Sequence, residues 1–445
     1  MRIARILPIR LLATLLPAIN LIAGCQTDVA AASDAAPLDK SDAENPPDAS
    51  VQPIKYPIDH IVVMVKENHT FDNYFGSFPG AEGTQIGKNS KGPVPVTRPP
   101  QLLFSDLCHS HECALADWNG GKMDHWDLGD PKHAADNLAF AQYTEADIPN
   151  YWQYARSFVL CDHFFSSMMG PSFPGHSFVL SAQAGWATGN PTQSLPWGCD
   201  DKPGTTVPIL DNGTCAAKDV YPCFDFPTVP DLLPKSLTWK FYGSTEPPLI
   251  GTVWSMFAAV KHLHSAADYK DHVVDLSKFD ADLASDNFPN VVYLIDQDAY
   301  SEHPPLGICA GENWSVRNIN KLMQSKYWGR MAILLTYDDF GGWYDHVPPP
   351  KQNGCNAPTP YGLGFRLPAI IMFPYAKQNF IMKSVAHQGS VPKFIETIFH
   401  LPSLHSLDNA AQDGPDTNDL TEAFDFTQKP NPPLVLQPRD CGGQR

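Results

Sequence analysis

Two apolar runs of the sequence each lead into a pair of oxygen-bearing side chains. Residues 58–65 (IDHIVVMV) precede Glu67-Asn68, and residues 331–337 (MAILLTY) precede Asp338-Asp339. Both runs are typical of buried strands. Carboxylates beside a buried segment are costly unless a cation or hydrogen-bond donors meet them. Because ligands of open α/β folds bind at the carboxyl ends of strands, the sequence predicts a polar site where these two runs end.

The N-terminus predicts an exported lipoprotein. Three arginines, Arg2, Arg5 and Arg10, precede a short apolar core at residues 11–23. This core is too short to span a bilayer comfortably. Residues 1–24 are therefore predicted to be a signal peptide. Residues 21–25 (LIAGC) resemble the bacterial lipobox, in which the cysteine, here Cys25, is acylated. An ordinary cleaved signal with an incidental cysteine is the alternative.

A lipid anchor on Cys25 would hold the protein on a membrane. Gln26, where an Asp would indicate retention in the inner membrane, favours the outer membrane and the periplasm. Residues 25–54 are rich in Ala, Asp and Pro and predict a flexible tether. No internal repeat or composition break divides residues 55–445, which are predicted to form one α/β catalytic domain.

The charge of the chain limits its partners. Asp and Glu number 48 against 31 Lys and Arg, and the formal net charge is −17. Nucleic acid is therefore not expected as a partner, because phosphate-backbone binding needs clustered Lys and Arg. A phosphate-ester substrate stays possible, since a bound divalent ion inverts the charge of a single pocket.

Ten cysteines fit an exported, oxidising environment. Cys161 follows an apolar run and is predicted to be a buried thiol, whereas Cys108 and Cys113 are predicted to form a local disulfide. A zinc site built from these two cysteines with His109 and His111 is the alternative. The other candidates for disulfides are Cys199, Cys215, Cys223, Cys309, Cys355 and Cys441.

Five segments carry the residues from which a site could be built: 67–68 (EN), 118–125 (WNGGKMDH), 167–176 (SMMGPSFPGH), 301–305 (SEHPP) and 336–348 (TYDDFGGWYDHVP). Together they resemble the bacterial phosphoesterase family that contains phosphatidylcholine-type phospholipases C and a group of secreted acid phosphatases. The resemblance extends from about residue 58 to residue 401. It implies an alkaline-phosphatase-like α/β sandwich with a central, mostly parallel sheet.

The resemblance also implies a metal site. In the acid phosphatases of this family, one metal ion is held by a Glu-Asn pair, a nucleophilic serine and an Asp-Asp pair. The matching residues of this sequence are Glu67, Asn68, Ser172, Asp338 and Asp339.

Histidines complete the implied site. Family histidines bind the phosphoryl oxygens or assist the leaving group, and His125 and His303 match two of them. His346 lies in a family motif and is included as a catalytic candidate, and a further family histidine could be His262, His264 or His272. The remaining candidates are predicted to be structural or solvated: His60, His109, His111, His133, His163, His176 and His387.

The residue types support this chemistry. Three carboxylates, an amide oxygen and a serine oxygen form an all-oxygen shell, which suits one divalent ion such as Ca²⁺, Mg²⁺ or Mn²⁺. Coordination to a metal ion activates a serine hydroxyl, which is otherwise a poor nucleophile. The sequence therefore predicts a metal-dependent hydrolase of phosphoric esters that forms a phosphoseryl intermediate on Ser172.

The substrate class is less strongly indicated. The family's phospholipases C more often carry Thr at the position of Ser172, so we predict a phosphomonoesterase of the acid phosphatase type. A phospholipase C that cleaves phospholipid head groups is the alternative. Gly175 stands where the family usually has Asn, so substrate contacts differ there. A non-catalytic, envelope-anchored binding protein is a third reading, against which the complete set of predicted metal ligands argues.

Overall fold

The computed structural model describes residues 55–442 apart from 101–104, 193–196, 212–213, 215, 245–253, 297 and 351–360. The predicted signal peptide, the tether and Cys25 lie outside the described residues, as do Cys215 and Cys355. Among the helices that are described, none has both the length and the apolar character needed to cross a bilayer.

A central eight-stranded sheet organises the described residues. In chain order the strands are His60–Lys66 (β1), Ile86–Asn89 (β2), Gly92–Pro95 (β3), Val159–Cys161 (β4), Phe164–Phe165 (β5), Val207–Leu210 (β6), Ala217–Val220 (β7), Trp239–Gly243 (β8), Val273–Asp275 (β9), Val291–Ile295 (β10), Met331–Tyr337 (β11), Ala369–Met372 (β12), Phe380–Met382 (β13) and Ala386–His387 (β14). The order across the central sheet is β13-β4-β12-β11-β1-β10-β8-β9. Every pairing in it is parallel except those of β12 with β11 and with β4.

The two predicted strands are neighbours at the centre of this sheet. Both β1 and β11 are buried almost throughout, as their continuous apolar sequences predict. They pair in parallel with Lys66 beside Tyr337, so that Glu67 and Asp338 follow side by side at one sheet edge. The strand β10 flanks β1 on its other side. The predicted α/β class with a mostly parallel central sheet is confirmed.

Helices and loops cover this sheet. The helices are Phe71–Phe75 (α1), His111–Trp118 (α2), Trp126–Gly129 (α3), Pro149–Ser157 (α4), Ser172–Ser181 (α5), Val229–Leu232 (α6), Lys261–His264 (α7), Tyr269–His272 (α8), Phe279–Ala284 (α9), Ile308–Gln324 (α10), Ser390–Phe399 (α11) and Leu404–Leu407 (α12). Most buried apolar side chains form one cluster around the sheet. A second cluster packs Trp126 of α3 against Phe340 and Trp343, which supports the loop that follows Asp339.

Three disulfides are present in the described residues: Cys108–Cys113, Cys199–Cys223 and Cys309–Cys441. The first confirms the predicted local pair and occupies both sulfurs that the alternative zinc site would need. Cys161 is a buried free thiol, as predicted. The third disulfide joins the C-terminal segment to α10.

Candidate active site

The site forms where β1, β11 and the N-terminus of α5 meet. The backbone N–H of Asn68 donates to Asp338 Oδ1 at 2.8 Å. From α5, the Ser172 hydroxyl donates to Asp339 Oδ2 at 3.2 Å. The structure therefore brings together all five predicted metal-site residues from three segments that are far apart in the chain.

Three oxygens of this group are buried and have no hydrogen-bond partner among the described residues. They belong to Glu67 (Oε2), Asn68 (Oδ1) and Asp338 (Oδ2). Buried polar atoms almost always have a hydrogen-bond partner, so three orphans in one place need an explanation. Oxygens of this kind are the ligands that hard divalent cations prefer. The donor set therefore fits a bound cation.

The charges of the group also favour a bound cation. Glu67, Asp338 and Asp339 are all buried, and in the described part of the chain no Lys or Arg forms an ion pair with any of them. Burial raises the pKa of Glu67 well above its ordinary value, and the nearby carboxylates raise it further. Burial and the charge of Asp338 likewise raise the pKa of Asp339. A divalent cation would remove this repulsion.

A close approach of α5 to the sheet positions the serine. Ser172 is the first residue of α5, and Gly175 follows within the first turn. A Cβ atom on Gly175 would clash with the backbone oxygen of Asp338. Only glycine therefore lets this turn of the helix lie against the end of β11. The departure from the family's usual Asn is thus compatible with the local packing.

His176 also faces the carboxylates, although the sequence analysis predicts that it is structural or solvated. It lies one helical turn after Ser172, on the same face of α5. Its Nε2 lies 2.7 Å from Glu67 Oε1 and 3.9 Å from Asp338 Oδ2. Burial lowers the pKa of His176 to about 4, so the ring is neutral at neutral pH. The hydrogen bond to Oε1 orients Glu67 and leaves its Oε2 for a cation.

A second group of side chains borders the carboxylates. His109 Nε2 lies 3.3 Å from Asn68 Nδ2, and its Nδ1 donates to the backbone oxygen of Leu107 at 2.8 Å. The rings of His109 and His303 lie 5.7 Å apart. Asp106 completes this group, with potential ligand atoms of the three residues within 4.8 Å of one another. The structure thus places His303 beside the site and adds His109 to it.

The other histidine candidates lie in different surroundings. His125 is partly exposed and has its Nε2 3.1 Å from Asn119 Nδ2, a local contact within its own segment. His262 and His264 contact acidic side chains, and His272 stacks on Trp239. None of these contacts reaches the carboxylate group.

His346 belongs to a separate charged cluster. Its Nδ1 lies 2.6 Å from Asp72 Oδ2. The buried Arg366 bonds both Asp72 (3.1 Å) and Asp345 (2.9 Å). Burial lowers the pKa of His346, but the hydrogen bond and charge of Asp72 outweigh burial and raise it above its ordinary value. These contacts tie the loop after β11 to α1, so the geometry supports a structural part for His346.

Sequence reasoning missed two of the residues that contact the site. For His176, the available signal was its spacing of four residues from Ser172, which puts both side chains on one helix face. For His109, the sequence contained no such signal, since its contact with Asn68 spans 41 residues of chain.

A serine hydroxyl beside three buried carboxylates, where two parallel strands end, can serve the hydrolysis of phosphoric esters when a metal ion is bound. Comparison with known proteins leads to the same class. The chain belongs to the Phosphoesterase family, whose sequence profile matches residues 58–402. The resemblance predicted from the five segments is therefore confirmed.

Several relatives carry the name phospholipase C. Phospholipase C A of Mycobacterium tuberculosis is 27% identical, over 84% of this chain and 78% of its own length. The non-hemolytic phospholipase C of Pseudomonas aeruginosa is 26% identical, over 86% of this chain and 59% of its own length. Non-specific phospholipase C5 of Arabidopsis thaliana is 25% identical, over 78% of this chain and 71% of its own length.

Similar solved structures have low sequence identity. An alkaline phosphatase superfamily protein from Vibrio parahaemolyticus has a TM-score of 0.37 and 11% identity, covering 78% of this chain and 67% of that one. A lipoteichoic acid synthase from Listeria monocytogenes has a TM-score of 0.37 and 10% identity, covering 77% of this chain and 72% of that one.

Proposed function

We propose that this protein is a metal-dependent phosphomonoesterase of the acid phosphatase type, with Ser172 as the nucleophile. One observation carries the proposal. The Ser172 hydroxyl bonds Asp339 beside three buried, unpartnered oxygens from Glu67, Asn68 and Asp338. A reactive hydroxyl and a cation-binding oxygen group are thus within reach of one substrate phosphoryl group.

The residues that would hold the cation are Glu67, Asn68, Ser172, Asp338 and Asp339. A bound divalent ion, Ca²⁺, Mg²⁺ or Mn²⁺, would lower the pKa of the serine hydroxyl and offset negative charge on the phosphoryl oxygens. The residues of the chain hold these groups in place. Gly341 N–H donates to Asp339 Oδ1 at 2.7 Å, and Gln388 donates to the backbone oxygen of Asp338 at 2.5 Å.

The reaction would proceed in two displacements at phosphorus. As Ser172 Oγ bonds to phosphorus, its proton would pass to Asp339 Oδ2, the acceptor of its hydrogen bond, while the ester P–O bond breaks and the leaving alcohol takes up a proton. A water molecule then attacks the phosphoseryl group, which releases inorganic phosphate and restores the serine hydroxyl. Positioning and charge stabilisation supply most of the catalysis in such transfers.

His303 is our candidate for the proton donor to the leaving group. Its Nδ1 donates to the backbone oxygen of Pro304 at 2.7 Å, so the ring would serve the leaving group in its imidazolium form, through the proton on Nε2. His109 lies on the same side, and because its Nε2 accepts from Asn68 Nδ2 at 3.3 Å, it is our candidate for orienting the amide oxygen of Asn68 toward the cation. These roles replace the one predicted for His125, which stays a prediction without support from the geometry.

Trapping of the covalent intermediate tests the proposal. Rapid acid quenching during turnover of p-nitrophenyl phosphate should leave a phosphate on the peptide that contains Ser172, seen as a mass increase on that peptide. A phosphate found on another residue would exclude Ser172 as the nucleophile. Hydrolysis with no covalent phosphate at any quench time would favour direct attack by water.

The cavity next to Pro171, the residue before Ser172, supports a compact leaving group. It measures about 300 Å³, and the described residues that line it include Leu107, Pro171 and Pro208 as well as His109, Thr188 and Asn190. This volume is at the lower end for ligand pockets. A small phosphorylated alcohol fits this description better than a diacylglycerol.

We expect kcat/KM for p-nitrophenyl phosphate to exceed that for phosphatidylcholine vesicles by on the order of 100-fold or more, since pocket complementarity supplies discrimination of that size. Release of phosphate and of phosphocholine would be measured with the same enzyme preparation. The names of the relatives favour the second candidate, phospholipase C. Faster release of phosphocholine would establish that candidate and exclude the monoesterase.

We further propose that the protein is exported and anchored to the outer membrane through Cys25, as the signal sequence and lipobox predict. The protein should be found in the membrane fraction of a bacterial host, and Cys25→Ser should shift it to the soluble fraction, because the acyl chains supply the anchoring energy. Membrane association unchanged by this substitution would contradict the anchor.

A further inference from the structure

Glu302 lies at the centre of a buried polar cluster behind the proposed site. Its side chain is fully buried and accepts hydrogen bonds from three tyrosine hydroxyls. Tyr74 and Tyr337 donate to Oε2, both at 2.7 Å, and Tyr151 donates to Oε1 at 2.5 Å. The ammonium group of Lys66 lies 3.5 Å from Oε1. Four donors therefore converge on one carboxylate.

Three members of this cluster directly precede residues of the proposed site. Lys66 precedes Glu67, and Tyr337 precedes Asp338. Successive side chains of a strand point to opposite faces, so these two face the cluster while the next residues face the cation-binding side. Glu302 itself precedes His303. The cluster thus joins three segments whose next residues make up much of the site.

Backbone hydrogen bonds reinforce this arrangement. The N–H of Glu67 donates to the backbone oxygen of Ser301 at 3.0 Å, and the N–H of Asp338 donates to that of Lys66 at 3.0 Å. His69 Nε2 lies 3.2 Å from the backbone oxygen of Glu302. Glu302 has a φ of +74°, an uncommon conformation for a residue other than glycine, which its surroundings must maintain.

We propose that Glu302 is a positioning residue that holds His303 in register with the ends of β1 and β11, an inference that rests on the proposed role of His303. The carboxylate is required because all four surrounding groups are donors. An amide at this position would keep only one acceptor oxygen, and its NH₂ group could not accept the hydrogen bonds that the hydroxyls donate to the other oxygen. The fit of the loop to the two strand ends therefore depends on the acidic side chain.

Helix α4 offers a matched pair of variants. Tyr151 and Tyr154 are both buried tyrosines of α4. The Tyr151 hydroxyl bonds Glu302 and lies 2.9 Å from Ser315 Oγ, whereas the Tyr154 hydroxyl has no hydrogen-bond partner in the part of the chain that the structure describes. Tyr151→Phe thus removes one bond to Glu302, and Tyr154→Phe removes a hydroxyl of no consequence for it. Glu302→Gln is the stronger change, and Tyr151→Phe remains informative if that variant does not fold.

The test is a double-mutant cycle with His303→Ala, read as kcat for glycerol phosphate, whose alkyl leaving group needs a proton. We expect Tyr151→Phe to lower kcat about 10-fold and Glu302→Gln about 100-fold, with KM and metal content nearly unchanged, because misplaced supporting groups have effects of this size. Tyr154→Phe should leave kcat within about twofold of the wild-type value, because this hydroxyl does not contact Glu302. In the His303→Ala background the first two changes should have no further effect.

A purely structural role would give a different result. Losses of equal size with and without the imidazole of His303 would overturn the inference, as would equal losses in Tyr151→Phe and Tyr154→Phe. A His303→Ala variant with the kcat of the wild type would overturn it too. The proposed nucleophile is tested separately, because trapping of phosphate on Ser172 does not depend on Glu302.

Discussion

Replacement of Ser172 by alanine is expected to reduce phosphate release by on the order of 10⁴-fold or more, because loss of a covalent nucleophile has effects of this size in other hydrolases. The substitution removes the hydroxyl that bonds Asp339 Oδ2 at 3.2 Å but none of the four other predicted metal ligands. The variant should therefore still bind substrate and metal ion. Steady-state phosphate release and metal analysis on the same sample measure both properties.

A second serine of α5 provides the control. Ser177 is also buried, and its hydroxyl donates to the backbone oxygen of Gln183 at 2.8 Å, away from the carboxylates. Ser177→Ala should keep the hydrolysis rate within about threefold and lower stability by about 1 kcal/mol, as expected for loss of one hydrogen bond. Hydrolysis by Ser172→Ala at the rate of the wild type would refute the serine mechanism.

Removal of the metal ion should abolish hydrolysis, and its effect on stability should depend on pH. Glu67 and Asp339 have pKa values raised by burial, so in the metal-free protein folding favours their protonated forms. Their contribution to stability is present at low pH. It is lost as pH rises past about 4, the pKa of these carboxyl groups in the unfolded chain, and on through their higher pKa values in the folded protein. A cation replaces those protons, so the increase in Tm caused by the metal ion should grow with pH.

Measurement of Tm with EDTA and with added Mg²⁺, Mn²⁺ or Ca²⁺ between pH 5 and pH 8 tests this dependence, since metal binding to carboxylates competes with protons. Asp338→Asn should lower the bound metal by more than about tenfold, because it removes a buried charged ligand. The control substitution Asp286→Asn should leave the metal content unchanged, because Asp286 is exposed and pairs with Lys326. A metal content that Asp338→Asn does not alter would exclude the assigned ligands.

Local sequence was sufficient to predict the frame of the site. The apolar runs that became β1 and β11 bury nearly all of their side chains, and burial of such runs is dictated by composition alone. The acidic and amide residues that follow them had to emerge at a sheet edge. Around Ser172 the structure has the first turn of α5, in which Gly175 is needed for contact with the end of β11.

Local sequence did not predict the positions of the histidines. His125 and His346 lie in strong motifs, yet their polar contacts are with Asn119 and Asp72 rather than with the carboxylates. His109 contacts Asn68 because the segment before α2 passes over the end of β1. The placement of a loop side chain depends on packing between segments distant in sequence, which no local pattern encodes.

By itself, the sequence determined the fold class and the family and predicted the five residues that we propose as metal ligands, because each of these follows from local composition and ordered motifs. Only the tertiary structure decided which side chains support them. Glu302 and His176 could not be recognised as supports from their own segments, since a buried carboxylate or imidazole acquires its role from the partners that surround it. Those partners, Tyr74, Tyr151, Tyr337 and Glu67, come from separate elements of the fold.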